Sequence, residues 1–466
     1  MLDRRPRKAG RQALAMIPRV VIGGTSSGAG KTTVACGLIG ALRARGLRVQ
    51  GFKVGPDYID PSHHALAAGR PGRNLDAFLD GPELIAPLVR HGGAGADIAV
   101  VEGVMGLFDG ASGRGELAST AHVAKLLRAP VLLVVDGAAM ARSAAAMVLG
   151  YTTFDPGVEV AGVIFNRVGS DLHEELLRDA VEPLGVPVLG ALRRDDRIVT
   201  PERHLGLVPA GEREALARDA LEALAAAMAR YADIPAIERL ARAAPALPGP
   251  AWSPQAAATA PARIAIARGP AFSFHYEENL ELLAAAGAEL APFDPLRDEA
   301  LPPGAGALLL AGGFPEVFGA ELEANAALRA EIAAFAASGR PVLAECGGLL
   351  YLCAELDGHE MCGVLPARGS MAGRLTLGYR EAVAATATPW IDAGARVRGH
   401  EFHYSQVERL AGAAPAWSLS ARGRSRDEGV VAGALQASYL HVRWAAHPQL
   451  AQRFATAAAA APAAAR

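Results

Sequence analysis

Four cysteines in 466 residues, Cys36, Cys346, Cys353 and Cys362, form no C-x-x-C pair. That is too sparse for a disulfide scaffold, and a reducing cytoplasm is the compartment it implies. Excess charge is missing as well. The 46 Lys and Arg nearly match the 48 Asp and Glu, giving a formal net charge of −2. No overall basic field therefore points to nucleic acid. Long apolar runs are absent: the longest are Ala-rich, interrupted and too weak to span a bilayer, so no membrane is expected. The first sixteen residues carry Arg4, Arg5, Arg7, Lys8 and Arg11 but no apolar signal-peptide core. A disordered basic tail over residues 1–18, or a true start at Met16, is the expectation. With 51% hydrophobic and 20% charged residues, the chain reads as globular, with two or three domains.

What is present is organised around Gly23-Gly24-Thr25-Ser26-Ser27-Gly28-Ala29-Gly30-Lys31-Thr32-Thr33. The apolar run Val20-Val21-Ile22 precedes it, and Val34 to Ile39 reads as a helix behind it. Strand, glycine loop, helix is the context of a phosphate-binding loop. Gly28 and Gly30 let the backbone curl so that N–H groups face one point, and the helix N-terminus adds positive potential. Lys31 would reach the β- and γ-phosphates of a nucleotide, and the hydroxyl of Thr32, with Thr33 beside it, would hold Mg²⁺. The strict pattern wants glycine at position 25, where Thr25 stands.

From residue 19 to 241, apolar runs alternate with amphipathic stretches. Residues 49–54, 98–101, 131–135, 160–165 and 186–189 predict buried strands; 142–150, 171–183 and 213–241 predict helices. That is an α/β pattern with a P-loop and a doubly wound parallel sheet. Prolines 245, 248, 250, 254 and 261 mark a linker over 242–262. A second α/β unit is expected over 263–454, with strands at 264–266, 308–310 and 341–345 and a helix at 277–286. The Ala-rich residues 455–466 read as a low-complexity tail.

Acids gather at strand ends in the first unit. Asp57 and Asp60 follow the second strand, Asp76 comes shortly after, and Glu102 and Asp109 follow the third. Ligands of open α/β sheets bind beyond these ends, and Mg²⁺ prefers such oxygens. Glu102, between an apolar strand and Gly103, would be costly to bury without a partner. Asn166 could hydrogen-bond an adenine, or cap a turn. In the second unit, Glu345-Cys346-Gly347-Gly348 places a cysteine on a strand-to-helix turn, the setting of a nucleophile. The Gly347 N–H, with one from a glycine loop such as 312–316 (Gly313), could hold an oxyanion. A base could come from His400, His403 or His441. Cys353 and Cys362 read as structural, and the histidines lack zinc spacing.

Phe-Lys-Val-Gly-Pro-Asp-Tyr-Ile-Asp-Pro from residue 52, Arg73-Asn74-Leu75-Asp76, Val-Glu-Gly-Val-Met-Gly-Leu-Phe-Asp-Gly from 101, Ser119 to Val123, and Glu345 to Leu349 together carry a resemblance. From about residue 19 to 454 the chain resembles the cobyrinate/hydrogenobyrinate a,c-diamide synthases. That resemblance implies a dethiobiotin-synthetase-like ATP domain, whose loops share the spacing at Thr25, followed by a class I-type glutamine amidotransferase domain. It implies an ATP-dependent ligase of cobalamin biosynthesis that forms acyl phosphates on two acetate side chains and amidates them with ammonia from glutamine. The implied partners are a corrinoid, ATP and glutamine, with Mg²⁺; a homodimer is left open. Cobyric acid synthases share the architecture but carry Gln-Asn-Met where this chain has Gly55-Pro56-Asp57. A third reading, from another class, is a switch ATPase using a degenerate amidotransferase domain as a docking surface.

By the same resemblance, Asp57, Asp76 and Glu102 are metal or phosphate-side acids. Tyr58, Ile59, Asp60 and Asp109 line the corrinoid carboxylates, with Asp60 and Asp109 at the reacting groups. Cys346 is the nucleophile and His441 its base. The usual third acid does not follow: Arg443 stands two residues after His441, and His447-Pro448 ends in Gln449.

Overall fold

The computed structural model describes residues 16–194, 212–255, 261–408, 412–421 and 423–461. Of the tail expected over residues 1–18, residues 1–15 lie outside them, and Ile17 is buried.

The first unit runs β1 (Arg19–Gly24), α1 (Lys31–Ala44), β2 (Val49–Val54), α2 (Ile59–Ala68), β3 (Arg73–Leu75), α3 (Pro82–Gly92), β4 (Ile98–Glu102), α4 (Thr120–Leu127), β5 (Val131–Asp136), α5 (Ser143–Thr153), β6 (Val160–Val168), α6 (Asp171–Val181), β7 (Val188–Arg193), α7 (Glu212–Tyr231) and α8 (Ile234–Ala243). Its seven strands lie in the order β3-β2-β4-β1-β5-β6-β7, every pair parallel. β1 and β2 are buried along their whole length, as strands covered by helices on both faces must be. The single helix expected over 213–241 is two. Asp233 accepts the Ala236 amide at 2.9 Å to cap a new start, and Pro235 in that first turn has no N–H to waste. α7 lies close on α1, because a Cβ on Gly40 would come 2.6 Å from the Ala225 Cβ.

The stretch read as a linker is laid down between the units. Trp252 donates its amide to Pro87 O and its indole N–H to Ala445 O, and Arg19 reaches Pro245 O. Then follow β8 (Ala262–Ala267), α9 (Glu277–Ala285), β9 (Ala288–Phe293), β10 (Ala307–Leu310), α10 (Gly319–Ala324), α11 (Ala326–Ala337), β11 (Val342–Glu345), α12 (Gly347–Leu352), β12 (Cys353–Leu356), β13 (His359–Glu360), β14 (Leu365–Ala384), β15 (Arg396–Val407), β16 (Trp417–Ala421), β17 (Arg424–Glu428), β18 (Val430–Ala432), β19 (Leu435–Ser438), β20 (His441–Val442) and α13 (Pro448–Ala460). A six-stranded sheet, β18-β19-β11-β10-β8-β9, is parallel except at β18. A further sheet built on the long β14–β15 pair was not foreseen; it ends at β20, beside β15.

The Ala-rich end, expected as a tail over 455–466, is largely helical where it is described. Through Ala460 it continues α13, with Phe454, Ala455 and Ala458 buried. Alanine is the best helix former, and its small side chain lets the helix backbone press on Gly306, where a Cβ would meet Ala458 O at 2.2 Å. No described helix is long and apolar enough to cross a membrane.

Candidate active site

The phosphate loop joins β1 to α1. Gly28 and Gly30 have φ of +78° and +98°, backbone that L side chains rarely adopt, and Ser26–Gly28 form an exposed crest. A Cβ on Gly30 would collide with Asn166 Nδ2 at 1.9 Å. Asn166 is buried and donates to Ala29 O at 3.1 Å, so the residue expected to read adenine braces the loop. Lys31 turns back over the loop and donates to Ser26 O at 3.0 Å. Burial, then the nearby Lys53 charge, brings its pKa down to about 8. Thr32 Oγ1 donates to Glu102 Oε1 at 2.7 Å, and Thr33 is buried beneath the loop.

Glu102 ends β4, directly opposite Lys53 of β2. Its Oε1 also takes Lys53 Nζ at 2.8 Å, and its Oε2 meets His64 Nε2 at 2.7 Å. Burial alone would raise its pKa, but Lys53 and His64 outweigh burial and hold it well below the usual carboxylate range. Lys53 also pairs with Asp60 Oδ2 at 2.7 Å. Burial and the Glu102 charge push Asp60 up to about 7 in spite of that pairing. Asp57 Oδ1 accepts the Ile59 and Asp60 amides at 2.7 and 3.1 Å, which starts α2. Asp109 Oδ2 accepts the Gly106 amide at 3.0 Å.

Mg²⁺ takes one or two protein oxygens and fills its shell with phosphate oxygens and water. The hard oxygens Thr32 Oγ1 and Glu102 Oε1 at the foot of the loop fit that demand. Among the described residues no group of three or more His, Cys, Asp or Glu is arranged for a metal. Asp76 does not join the pair. Its Oδ1 accepts the Phe78 and Leu79 amides, and its Oδ2 accepts Tyr379 OH at 2.8 Å, from the second unit.

Cys346 stands between β11 and α12 with φ +50° and ψ −100°, a strained turn. Its amide donates to Ser438 O at 2.7 Å, and its Sγ lies 3.8 Å from Phe402 O. Burial and Glu316 push the thiol up; the Gly347 amide bond acts in the opposite sense. The two glycines expected at an oxyanion do approach each other: a Cβ on Gly347 would come 2.9 Å from Gly313 N. Gly313 is itself confined, because its own Cβ would meet Ala271 O at 2.0 Å.

His441, on β20, is fully buried with neither ring nitrogen hydrogen-bonded. Its ring stacks on His400 with centroids 5.0 Å apart, and Tyr58 leans on it at 5.2 Å. Tyr58 is thus not open to a corrinoid, as had been expected of it. It is buried in an aromatic box against Phe274 (4.7 Å, parallel) and Tyr276 (4.6 Å), with Ile59 packed beside it. Arg443 turns the other way: it pairs with Asp80 at 2.8 Å and lies over the Tyr276 ring at 4.8 Å. His447 precedes α13 at its N-cap position, where burial and then Arg398 lower its pKa.

The entry to α2, residues 57–60, therefore carries Asp60 to the phosphate-loop cluster and Tyr58 to the histidine of the other unit. Further bonds tie the units: Arg73 to Glu278 at 2.9 Å and Glu281 at 2.5 Å, and Arg398 to Phe78 O at 3.1 Å. The sequence reading assigned no role to Lys53, His64, Tyr276 or Tyr379. Lys53 had a signal, a lysine inside a strand expected to be buried; the others lie on segments that meet only in three dimensions.

The family model for the CobQ/CobB/MinD/ParA nucleotide binding domain matches residues 20–208, and that for the CobB/CobQ-like glutamine amidotransferase domain matches 263–449. The hydrogenobyrinate a,c-diamide synthase of Streptomyces coelicolor is 56% identical over 471 residues, spanning 94% of this chain and 97% of that protein. That of Thermobifida fusca is 51% identical, spanning 95% and 97%. The cobyrinate a,c-diamide synthase of Syntrophotalea carbinolica is 47% identical, spanning 94% and 98%.

Proposed function

Because the chain belongs to the hydrogenobyrinate and cobyrinate a,c-diamide synthase family, we propose that it amidates the a and c acetate groups of hydrogenobyrinate, or of cobyrinate, using ATP and glutamine. Near-full-length identity to diamide synthases favours this reading over cobyric acid synthesis and over a switch ATPase. We further infer a cytoplasmic enzyme, consistent with four free thiols among the described residues.

In the first half-reaction a substrate carboxylate oxygen attacks the γ-phosphorus of ATP, and ADP leaves. Lys31 and the loop amides balance the charge that develops on the phosphoryl oxygens. Thr32 and Glu102 would hold Mg²⁺, which when bound would supply positive charge to offset that of the phosphates. Lys53 keeps Glu102 ionised and, with Asp60 and Asp109, faces the acyl phosphate. In the second half-reaction Cys346 attacks the glutamine carboxamide, His441 takes the thiol proton, and the oxyanion rests on the Gly313 and Gly347 amides. Ammonia leaves and displaces phosphate from the acyl group; water hydrolyses the thioester to glutamate.

The observation that carries this reading is the entry to α2, residues 57–60, which joins Asp60 at the Lys53–Glu102 cluster to Tyr58 at His441. Mass spectrometry tests it. Hydrogenobyrinate or cobyrinate incubated with ATP, Mg²⁺ and glutamine should give a doubly amidated product. No amide from either corrinoid would sink the reading.

A further inference from the structure

His441 lacks the acid that should follow it in sequence, yet a buried imidazole with both nitrogens unbonded would have no fixed tautomer or direction. A carboxylate comes from another strand. Parallel strands β11 and β19 pair Glu345 with Ser438, and the chain turns from Ser438 into β20, bringing His441 back over the end of β11. Glu345 Oε2 then lies 3.5 Å from His441 Nδ1, and its Oε1 accepts the Val442 amide at 3.4 Å, which fixes the carboxylate beside the ring. Among the described residues this is the carboxylate within 4 Å of His441. The neighbouring acids are occupied: Glu428 by Ser438 Oγ and the Tyr439 amide, Glu401 by Arg380 and Arg426, Asp80 and Glu278 by Arg443.

We propose that Glu345, the residue immediately before the nucleophile, is the positioning residue of the glutaminase site. Its carboxylate accepts Nδ1–H of His441 and leaves Nε2 to take the proton of Cys346. The task usually carried by an acid two residues beyond the histidine has moved to the strand that bears the cysteine. Its usual position is then free for Arg443, which locks the second unit to Asp80 of the first. At 3.5 Å the pair is longer than a hydrogen bond, as such pairs commonly are before substrate closes them. The other groups facing the His441 ring are His400 from β15, Tyr58 from the start of α2 and Phe274. Neither a neutral histidine nor a phenol replaces a carboxylate as a charged acceptor.

The proposal rests on the glutamine-dependent reading above, and the full-length chain tests both. Two activities are measured: glutamine hydrolysis, as kcat and KM, and ligation driven by ammonium salts. In Glu345→Gln and Glu345→Ala, kcat for glutamine hydrolysis should fall about tenfold or more, with KM little changed, because the imidazole loses its orienting charge. Ammonium-driven ligation should stay at the wild-type rate. Wild-type kcat in both variants would overturn the assignment. So would a parallel loss of ammonium-driven ligation, which would make Glu345 a packing residue. If the wild-type chain hydrolyses no glutamine, or Cys346→Ser hydrolyses it equally well, the glutamine reading itself falls and takes this proposal with it.

Discussion

A lysine held at about 8 near a second buried cation is half-charged in mildly alkaline solution, and bound phosphate would restore its proton. Lys31 should therefore take up a proton when ATP binds. At pH 8 the uptake is about half a proton per ATP, and it vanishes near pH 6.5, where the ammonium is already formed. Calorimetry in buffers of different ionisation enthalpy reads that number directly; no uptake at pH 8 would place the ammonium elsewhere. Lys31→Ala should cost roughly a hundredfold or more in ligation with either glutamine or ammonium, because a preorganised phosphate contact is gone. Glu102 is the other residue on which the site turns. Thr32, Lys53 and His64 all converge on its two oxygens, so Glu102→Ala leaves a buried ammonium short of a partner as well as removing an oxygen proposed to hold Mg²⁺. That variant should form no amide from either nitrogen source yet keep glutamine hydrolysis, measured as glutamate release.

At the scale of elements, the sequence was readable where chemistry and local geometry coincide. Gly28 and Gly30 announce the loop because positive φ demands glycine, and the glycines after Cys346 announce its turn. β1, β2, β4, β5 and β6 were legible as apolar runs because both faces of the first sheet are covered. The β14–β15 pair was not. β14 runs from Leu365 to Ala384 with long half-exposed stretches and a break in register between Met371 and Thr376, so no clean alternation marks it. α13 was hidden by its own composition, since alanine repeats read as tail while serving as a close-packing helix. That packing is testable. Gly306→Ala would push a methyl into the Ala458 carbonyl, so it should cost about 1–3 kcal/mol, read as a lowered midpoint in chemical denaturation. An unchanged midpoint would show that α13 yields at little cost.

For the whole molecule, the decisive contacts join residues far apart in sequence. Asp80 and Arg443 are 363 positions apart and wholly buried, and no periodicity reports that their loops meet. Replacing Asp80 with alanine leaves the buried Arg443 guanidinium only its longer contact to Glu278 at 3.5 Å, and losing one partner of such a buried pair typically costs about 3–5 kcal/mol. Because that pair holds Tyr276 and the aromatic box beneath it, Asp80→Ala should also release more glutamate per amide formed than the wild-type enzyme. The two half-reactions remain chemically separate, since the ATP site needs no thiol and the thiol site needs no ATP. Their separation is tested most directly in Cys346→Ser, by following amide formation on the corrinoid with ATP and either glutamine or ammonium salts at high pH. Amidation should be lost with glutamine and preserved with ammonium. Full activity with glutamine would refute the nucleophile, and loss with ammonium as well would refute the two-site design.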